Sequence, residues 1–237
     1  MQGKIRAVFF DAGNTLVYPR LEEIAAGMTA KGYASTVEDF HASDRAGKAR
    51  FDEWLWPQLR NGTVPRQVDP FYWTEYLKAL IERLKVPESA RTEVVNWLVE
   101  RFKDITLWSK VYDDTVPFLE SLRGRGYYLG VISNSIGTME QQLVRLGLAP
   151  HFETILDSAV VGVEKPHPEI FHIALKRANV AASEAVFVGD TYPTDIGGAQ
   201  LAGLTGVLID RVRAYPNADC PRIETLSELE PILADLS

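Results

Sequence analysis

After Lys110 the chain settles into an alternation of short apolar runs and helix-patterned segments, and this constrains the fold more than any other feature. The runs at Tyr128–Ile132, Thr154–Leu156, Ala185–Val188 and Gly206–Ile209 are short, apolar and rich in β-branched residues, as buried strands are. Between and around them, Thr115–Arg123, Thr138–Leu146, Pro168–Ala178, Thr194–Ala202 and Leu226–Leu236 carry helical spacing. Asp113-Asp114-Thr115 offers an N-terminal cap, Pro117 and Pro168 are tolerable in a first turn, and Gly147 and Gly203 are helix stops. Strands separated by crossover helices form a parallel sheet covered on both faces. Ile5–Phe10 reads as one more buried strand, ended by the turn signal Asp11-Ala12-Gly13-Asn14.

From Leu21 to Lys110 the texture is different. This block holds all five tryptophans, shows helical spacing at 74–84 and 94–102, and is broken at Asn61-Gly62, Pro65, Pro70 and Pro87. It predicts about four helices and no strand. The fold class is therefore α/β: a Rossmann-like parallel sheet core, residues 1–16 and 110–237, with an inserted α-helical cap domain, residues 17–109. Trp54, Trp56, Phe71, Tyr72 and Trp73 are expected to form the cap's own core, and Arg45-Ala46-Gly47-Lys48-Ala49-Arg50 a solvated helix face. His41 is expected at the surface or as a capping group, while Tyr18 lies near the hinge and could face the site.

The 46% hydrophobic fraction among 237 residues supports a substantial core. A net charge of −7 argues against nucleic acid or anionic membrane as a partner, although a bound cation reverses the sign locally. Cys220 is the only cysteine, so no internal disulfide or cysteine-based metal cluster can form, and a bland place in the final loop is expected. Met1–Arg6 lacks the pattern of a signal peptide, and no apolar stretch approaches the roughly 20 residues that span a bilayer. The expected location is cytoplasmic; the oligomeric state is left open.

Three polar clusters follow strands: Asp11-Ala12-Gly13-Asn14-Thr15, Ser133-Asn134, and Gly189-Asp190 with Asp195. In a doubly wound sheet these converge outside the carboxyl ends of the strands, where ligands bind. Lys165, on a loop before a helix, reaches toward the same edge. Each piece alone reads as a turn former, loop pair or surface charge. Together, three carboxylates, a lysine and a hydroxyl at one edge call for a hard cation such as Mg²⁺.

The stretches Phe9-Phe10-Asp11-Ala12-Gly13-Asn14-Thr15-Leu16, Val131-Ile132-Ser133-Asn134, Lys165-Pro166-His167-Pro168-Glu169-Ile170-Phe171 and Val188-Gly189-Asp190-Thr191-Tyr192-Pro193-Thr194-Asp195 resemble, in order, the motifs of the haloacid dehalogenase-like (HAD) hydrolase superfamily. The resemblance implies that Asp11 attacks phosphorus and forms an aspartyl-phosphate. It implies that Ser133 and the backbone near Asn134 bind the phosphoryl group and that Lys165 neutralises charge. Asp190, Asp195, the Asp11 carboxylate and the Gly13 carbonyl would hold Mg²⁺. The substrate would be a small phosphorylated metabolite.

One position departs from that pattern. Family phosphatases carry a second aspartate two residues after the nucleophile as general acid and base, and here Gly13 stands there. Such help is typically worth about 10² to 10⁴-fold. Relatives without an acid at that position suggest two alternatives: a 2-haloacid dehalogenase, which attacks carbon without a metal, and a phosphonoacetaldehyde-hydrolase-like enzyme, with Lys48 as imine-forming amine; loss of the acid itself suggests a third, a non-catalytic phosphate- or partner-binding protein. Asp190 weighs against the dehalogenase, because an extra carboxylate opposes an anionic haloacid.

Overall fold

A computed structural model describes residues 4–236, so the reading of the first three residues falls outside it. Strand β1 (Ala7–Phe10) is buried throughout and lies inside a six-stranded sheet. The other strands are β4 (Tyr128–Ser133), β5 (Thr154–Asp157), β6 (Ala185–Gly189), β7 (Thr205–Ile209) and β8 (Arg222–Ile223). Their order is β5-β4-β1-β6-β7-β8, and every pairing is parallel. β1 pairs with β4 on one side and β6 on the other, Phe10 facing Val131 and Val188 in register.

The period-two alternation of a strand divides β1 between two cores. Val8 and Phe10 pack with Leu119, Leu122, Leu143 and Leu233. These come from α5 (Thr115–Gly124), α6 (Met139–Arg145) and α10 (Leu229–Asp235). Ala7 and Phe9 pack on the other face with Ile170, Phe171 and Ala199, from α8 (Pro168–Ala178) and α9 (Gly198–Leu201). The short α7 (Ser158–Val161) precedes the Lys165 loop. Full burial of each phenylalanine contributes roughly 1.5–3 kcal/mol. Both Phe9 and Phe10 are fully buried, so β1 is held firmly where it delivers Asp11.

Between β1 and α5 lie four helices: α1 (Leu21–Ala30), α2 (Val37–Arg60), α3 (Pro70–Arg83) and α4 (Glu88–Lys103). Thr36 and Asp39 form a capping box at the start of α2, and Asp69 caps α3 just before Pro70. They pack on one another through two apolar clusters, one around Ile24, Phe40, Leu80 and Leu98, the other around Phe51, Leu55 and Leu59. The block is thus a helical cap inserted in an α/β core.

Several local expectations change. The inserted block is bounded by strands after all: β2 (Tyr18–Pro19) and β3 (Trp108–Lys110) pair antiparallel as a two-stranded ribbon. The helix expected from Thr194 is a π-helical stretch over Tyr192–Gly197 leading into α9. Asp114 does precede α5, but its side chain makes no capping bond. β8, only two residues long, has no counterpart in the sequence pattern. Cys220 is a free, half-buried thiol packed against the cluster around Tyr215. Among the described residues, no helix is long and apolar enough to cross a membrane.

Candidate active site

Asp11 continues β1 by one ladder bond, its N–H donating to the Val188 carbonyl at 2.8 Å. The chain then turns back at once: Val17 N–H donates to Ala12 O at 2.9 Å and Asn14 N–H to Val17 O at 2.8 Å. Asn14 takes the left-handed backbone (φ 53°) that asparagine tolerates better than most residues. The turn consumes the carbonyls of Ala12 and Val17 and leaves that of Gly13 out of its bonding.

Lys165 arrives from the far side of the sheet edge and is clamped by Asn134. Its N–H donates to Asn134 Oδ1 at 2.8 Å, and Asn134 Nδ2 donates back to Lys165 O at 2.9 Å. The Asn134 side chain therefore positions the Lys165 loop, and only its backbone remains for a ligand. Lys165 Nζ lies 2.6 Å from Asp11 Oδ1 and 2.7 Å from Asp195 Oδ1. Asp195 is held from behind by the Thr191 N–H at 2.9 Å. The fit depends on Gly189, where an added Cβ would fall 2.5 Å from an Asp195 carboxylate oxygen. Ser133, at the end of β4, is buried and lines one cavity together with Asp11, Lys165, Asp190 and Asp195.

The three carboxylates of Asp11, Asp190 and Asp195 place oxygens within 4.8 Å of one another. Burial, opposed by Lys165 and reinforced by Asp195 and Asp190, pushes the Asp11 carboxyl up to about 7. Asp195 is raised for the same leading reason. Burial alone would lower the Lys165 ammonium, but its two carboxylate partners carry it above its ordinary value.

A second lysine completes the cluster. Lys48, on α2, is buried and not solvated as its neighbourhood implied. Its Nζ lies 2.8 Å from Asp190 Oδ2, donates to the Asp190 carbonyl at 3.0 Å, and is 3.7 Å from Asp44. Asp190 and Asp44 hold its proton well above the lysine range against the opposing effect of burial. A signal for this existed: Lys48, Phe51, Leu55 and Leu59 follow the three- and four-residue spacing of the buried stripe of α2. Trp56 of the same helix packs edge-on against Tyr192, ring centroids 5.2 Å apart. Asp52 accepts from the Tyr215 hydroxyl at 3.4 Å. Burial raises Asp52 to about 7, with Lys48 and Tyr215 opposing.

Trp54, Phe71 and Trp73 are substantially exposed, not core; Trp73 lines the cavity, while Tyr72 packs on Phe51. His41 lies on the cavity wall with its side chain 40% exposed, 3.7 Å from Glu38. Tyr18 also faces the cavity, donating to Thr15 O at 2.7 Å and receiving a bond from Arg211 Nε at 2.7 Å. Trp108, which no sequence pattern singled out, lies against Gly13.

Comparison with known proteins matches the haloacid dehalogenase-like hydrolase family over residues 5–203. The chain belongs to that family. Haloacid dehalogenase-like hydrolase domain-containing protein 3 of Mus musculus is 33% identical over 214 residues, 87% of this chain and 82% of the relative. A phosphoserine phosphatase from Thermus thermophilus is 36% identical over 143 residues, which is 60% of this HAD-like hydrolase and 55% of the relative. This chain therefore spans about half of that phosphatase. A dehalogenase solved with an intermediate complex is 25% identical, with a TM-score of 0.61 and 99% of both chains covered. A phosphatase and a dehalogenase thus both resemble this chain, and the residues at the sheet edge must distinguish the two readings.

Proposed function

We propose that this HAD-like hydrolase is a Mg²⁺-dependent phosphatase acting on small phosphate monoesters through an aspartyl-phosphate at Asp11. The observation that carries the reading is the convergence of Asp11, Asp190 and Asp195 around one point, with Lys165 bridging two of them. Mg²⁺ takes oxygen donors at about 2.1 Å, so opposite ligands stand about 4.2 Å apart. Carboxylate oxygens within 4.8 Å of each other suit such an ion after a small contraction. In this reading Asp190, Asp195, Asp11 and the Gly13 carbonyl hold the ion, which supplies Lewis-acid neutralisation of the phosphoryl oxygens.

The chain's own groups do the rest. Asp11 is the nucleophile, one oxygen held by Lys165 so that the other is presented to phosphorus. Ser133 and the backbone at Asn134 hold the phosphoryl oxygens, and Lys165 offsets the negative charge shared by nucleophile and phosphoryl group. The core at 1–16 and 110–237 supplies these groups, and the cap at 17–109 excludes water over them. The phosphoserine phosphatase relative agrees with phosphorus chemistry. Lys48 argues against the imine alternative, because an amine that retains its proton between two carboxylates is a poor nucleophile.

The test is a phosphate-ester panel with and without Mg²⁺, beside halide release from 2-haloacids and the variant Asp11→Asn. Metal-dependent phosphate release, lost in the variant, is the expected result. Metal-independent turnover, halide release, or full activity of Asp11→Asn would each overturn it.

A further inference from the structure

The next inference rests on the phosphatase reading and concerns the leaving group. Position 13 lacks a carboxyl, and the indole of Trp108 closes that space: a Cβ at Gly13 would lie 3.3 Å from its Cζ3 and 3.6 Å from its Cη2. The indole is fixed, since its Nε1–H donates to Phe102 O at 2.9 Å and its ring packs against Phe102. Phe40, Leu77, Leu80, Phe102 and Met139 line the same cavity as Asp11 and Trp108. Its volume is about 630 Å³. At about 30 Å³ per water this is space for on the order of twenty molecules, far more than a phosphoryl group and a short polar alcohol occupy. Of the cations that line the cavity, Lys165 is held by Asp11 and Asp195, and Lys48 by Asp190 and Asp44.

An aromatic wall where an acid normally stands has a chemical consequence. An alkoxide departs badly unless protonated, whereas a phenolate-type oxygen departs as the anion. We propose that the substrate is a phosphate monoester with an apolar aryl leaving group, seated against Trp108 and the apolar wall of the cap. In the first step an Asp11 oxygen bonds to phosphorus and the ester P–O bond breaks, its electron pair remaining on the aryl oxygen. In the second, water oxygen bonds to phosphorus and the pair of the Asp11–phosphorus bond returns to the carboxylate. One proton of that water stays on phosphate, and the other neutralises the aryloxide in solution. The second step lacks the same assistance, so it limits kcat, while kcat/KM reports the first.

The test compares aryl phosphates of graded leaving-group acidity with glycerol phosphate and phosphoserine at saturating Mg²⁺, by stopped flow. Aryl esters are expected to exceed the alkyl esters in kcat/KM by at least about 10²-fold, the scale of the missing proton donation. kcat is expected to be common to the aryl series, with a burst of phenol approaching one per site. In Asp11→Asn with Mg²⁺, phenylphosphonate is expected to bind at least tenfold more tightly than methylphosphonate. Alkyl esters cleaved within tenfold of aryl ones, a flat kcat/KM series, or equal phosphonate affinities would overturn the aryl assignment and leave the phosphatase reading standing. No Mg²⁺-dependent turnover of any ester, and no phosphate trapped on Asp11, would overturn both.

Discussion

Lys48→Met isolates the contribution of the cap's ammonium to the site. Methionine keeps most of the apolar stem and removes the charge, so Asp190, with its side chain only 8% exposed, loses its 2.8 Å partner. Breaking one side of a buried ion pair typically costs about 3–5 kcal/mol, because the remaining charge is neither solvated nor paired. For a chain of this size each kcal/mol moves the melting midpoint by about 2–4 °C, so a metal-free loss of about 6–20 °C is expected. A divalent cation held by Asp190 would restore the missing positive charge, and the difference between variant and wild type should shrink as Mg²⁺ is added. At a free concentration of about 100 times Kd, binding adds about 2.7 kcal/mol of stability. Mg²⁺ itself should bind the variant more tightly, since no ammonium competes for Asp190. Thermal scans in EDTA and in a Mg²⁺ series, with calorimetric Kd values, measure each quantity. A midpoint unchanged in EDTA, or a deficit that Mg²⁺ leaves untouched, would refute the view that Lys48 and the metal serve one carboxylate.

Three further outcomes follow from the same geometry. Because the folded protein raises Asp11 from 3.8 to about 7, the folded state binds the extra proton. Metal-free stability should therefore fall as pH rises from about 4 to about 7, and urea unfolding of Asp11→Asn should lose that part of the slope while activity drops by about 10⁴-fold or more. Gly189→Ala forces the Asp195 carboxylate away from its place and should cost about 1–3 kcal/mol in chemical unfolding while weakening Mg²⁺ binding in calorimetry. The Cβ of Gly13→Asp alone must shift Trp108 by a few tenths of an ångström; in a variant whose circular dichroism is native, kcat/KM for alkyl esters should rise relative to aryl esters.

The catalytic sheet was legible because parallel strands buried on both faces are written as unbroken apolar runs, and each polar cluster sat at the end of one. Thus the approach of Asp11, Lys165 and Asp195 to within ion-pair distance was readable from their place after strands and loops. The ribbon Tyr18–Pro19 with Trp108–Lys110 was not, since two or three residues leave no period to read and its partners lie about ninety positions apart. Lys48 was misread because its neighbours Arg45 and Arg50 drew it into a charged run. The decisive cue was its position on the stripe of Phe51 and Leu55. The contact of Trp108 with Gly13 left no local trace, because it is made only when the inserted helices return to the core.

That ribbon has a consequence for how such a chain diversifies. Tyr18 pairs with Lys110 and Pro19 with Trp108, so the whole excursion between them begins and ends at one pinned seam. The cost of closing a flexible loop grows only logarithmically with its length, about 0.6 kcal/mol for each doubling. Length added beyond the seam therefore costs the parallel sheet little, provided that α2 keeps Lys48 against Asp190. The excursion still reaches the sheet edge through α2, whose Lys48 pairs with Asp190 and whose Trp56 packs on Tyr192, so that helix is the part least free to change.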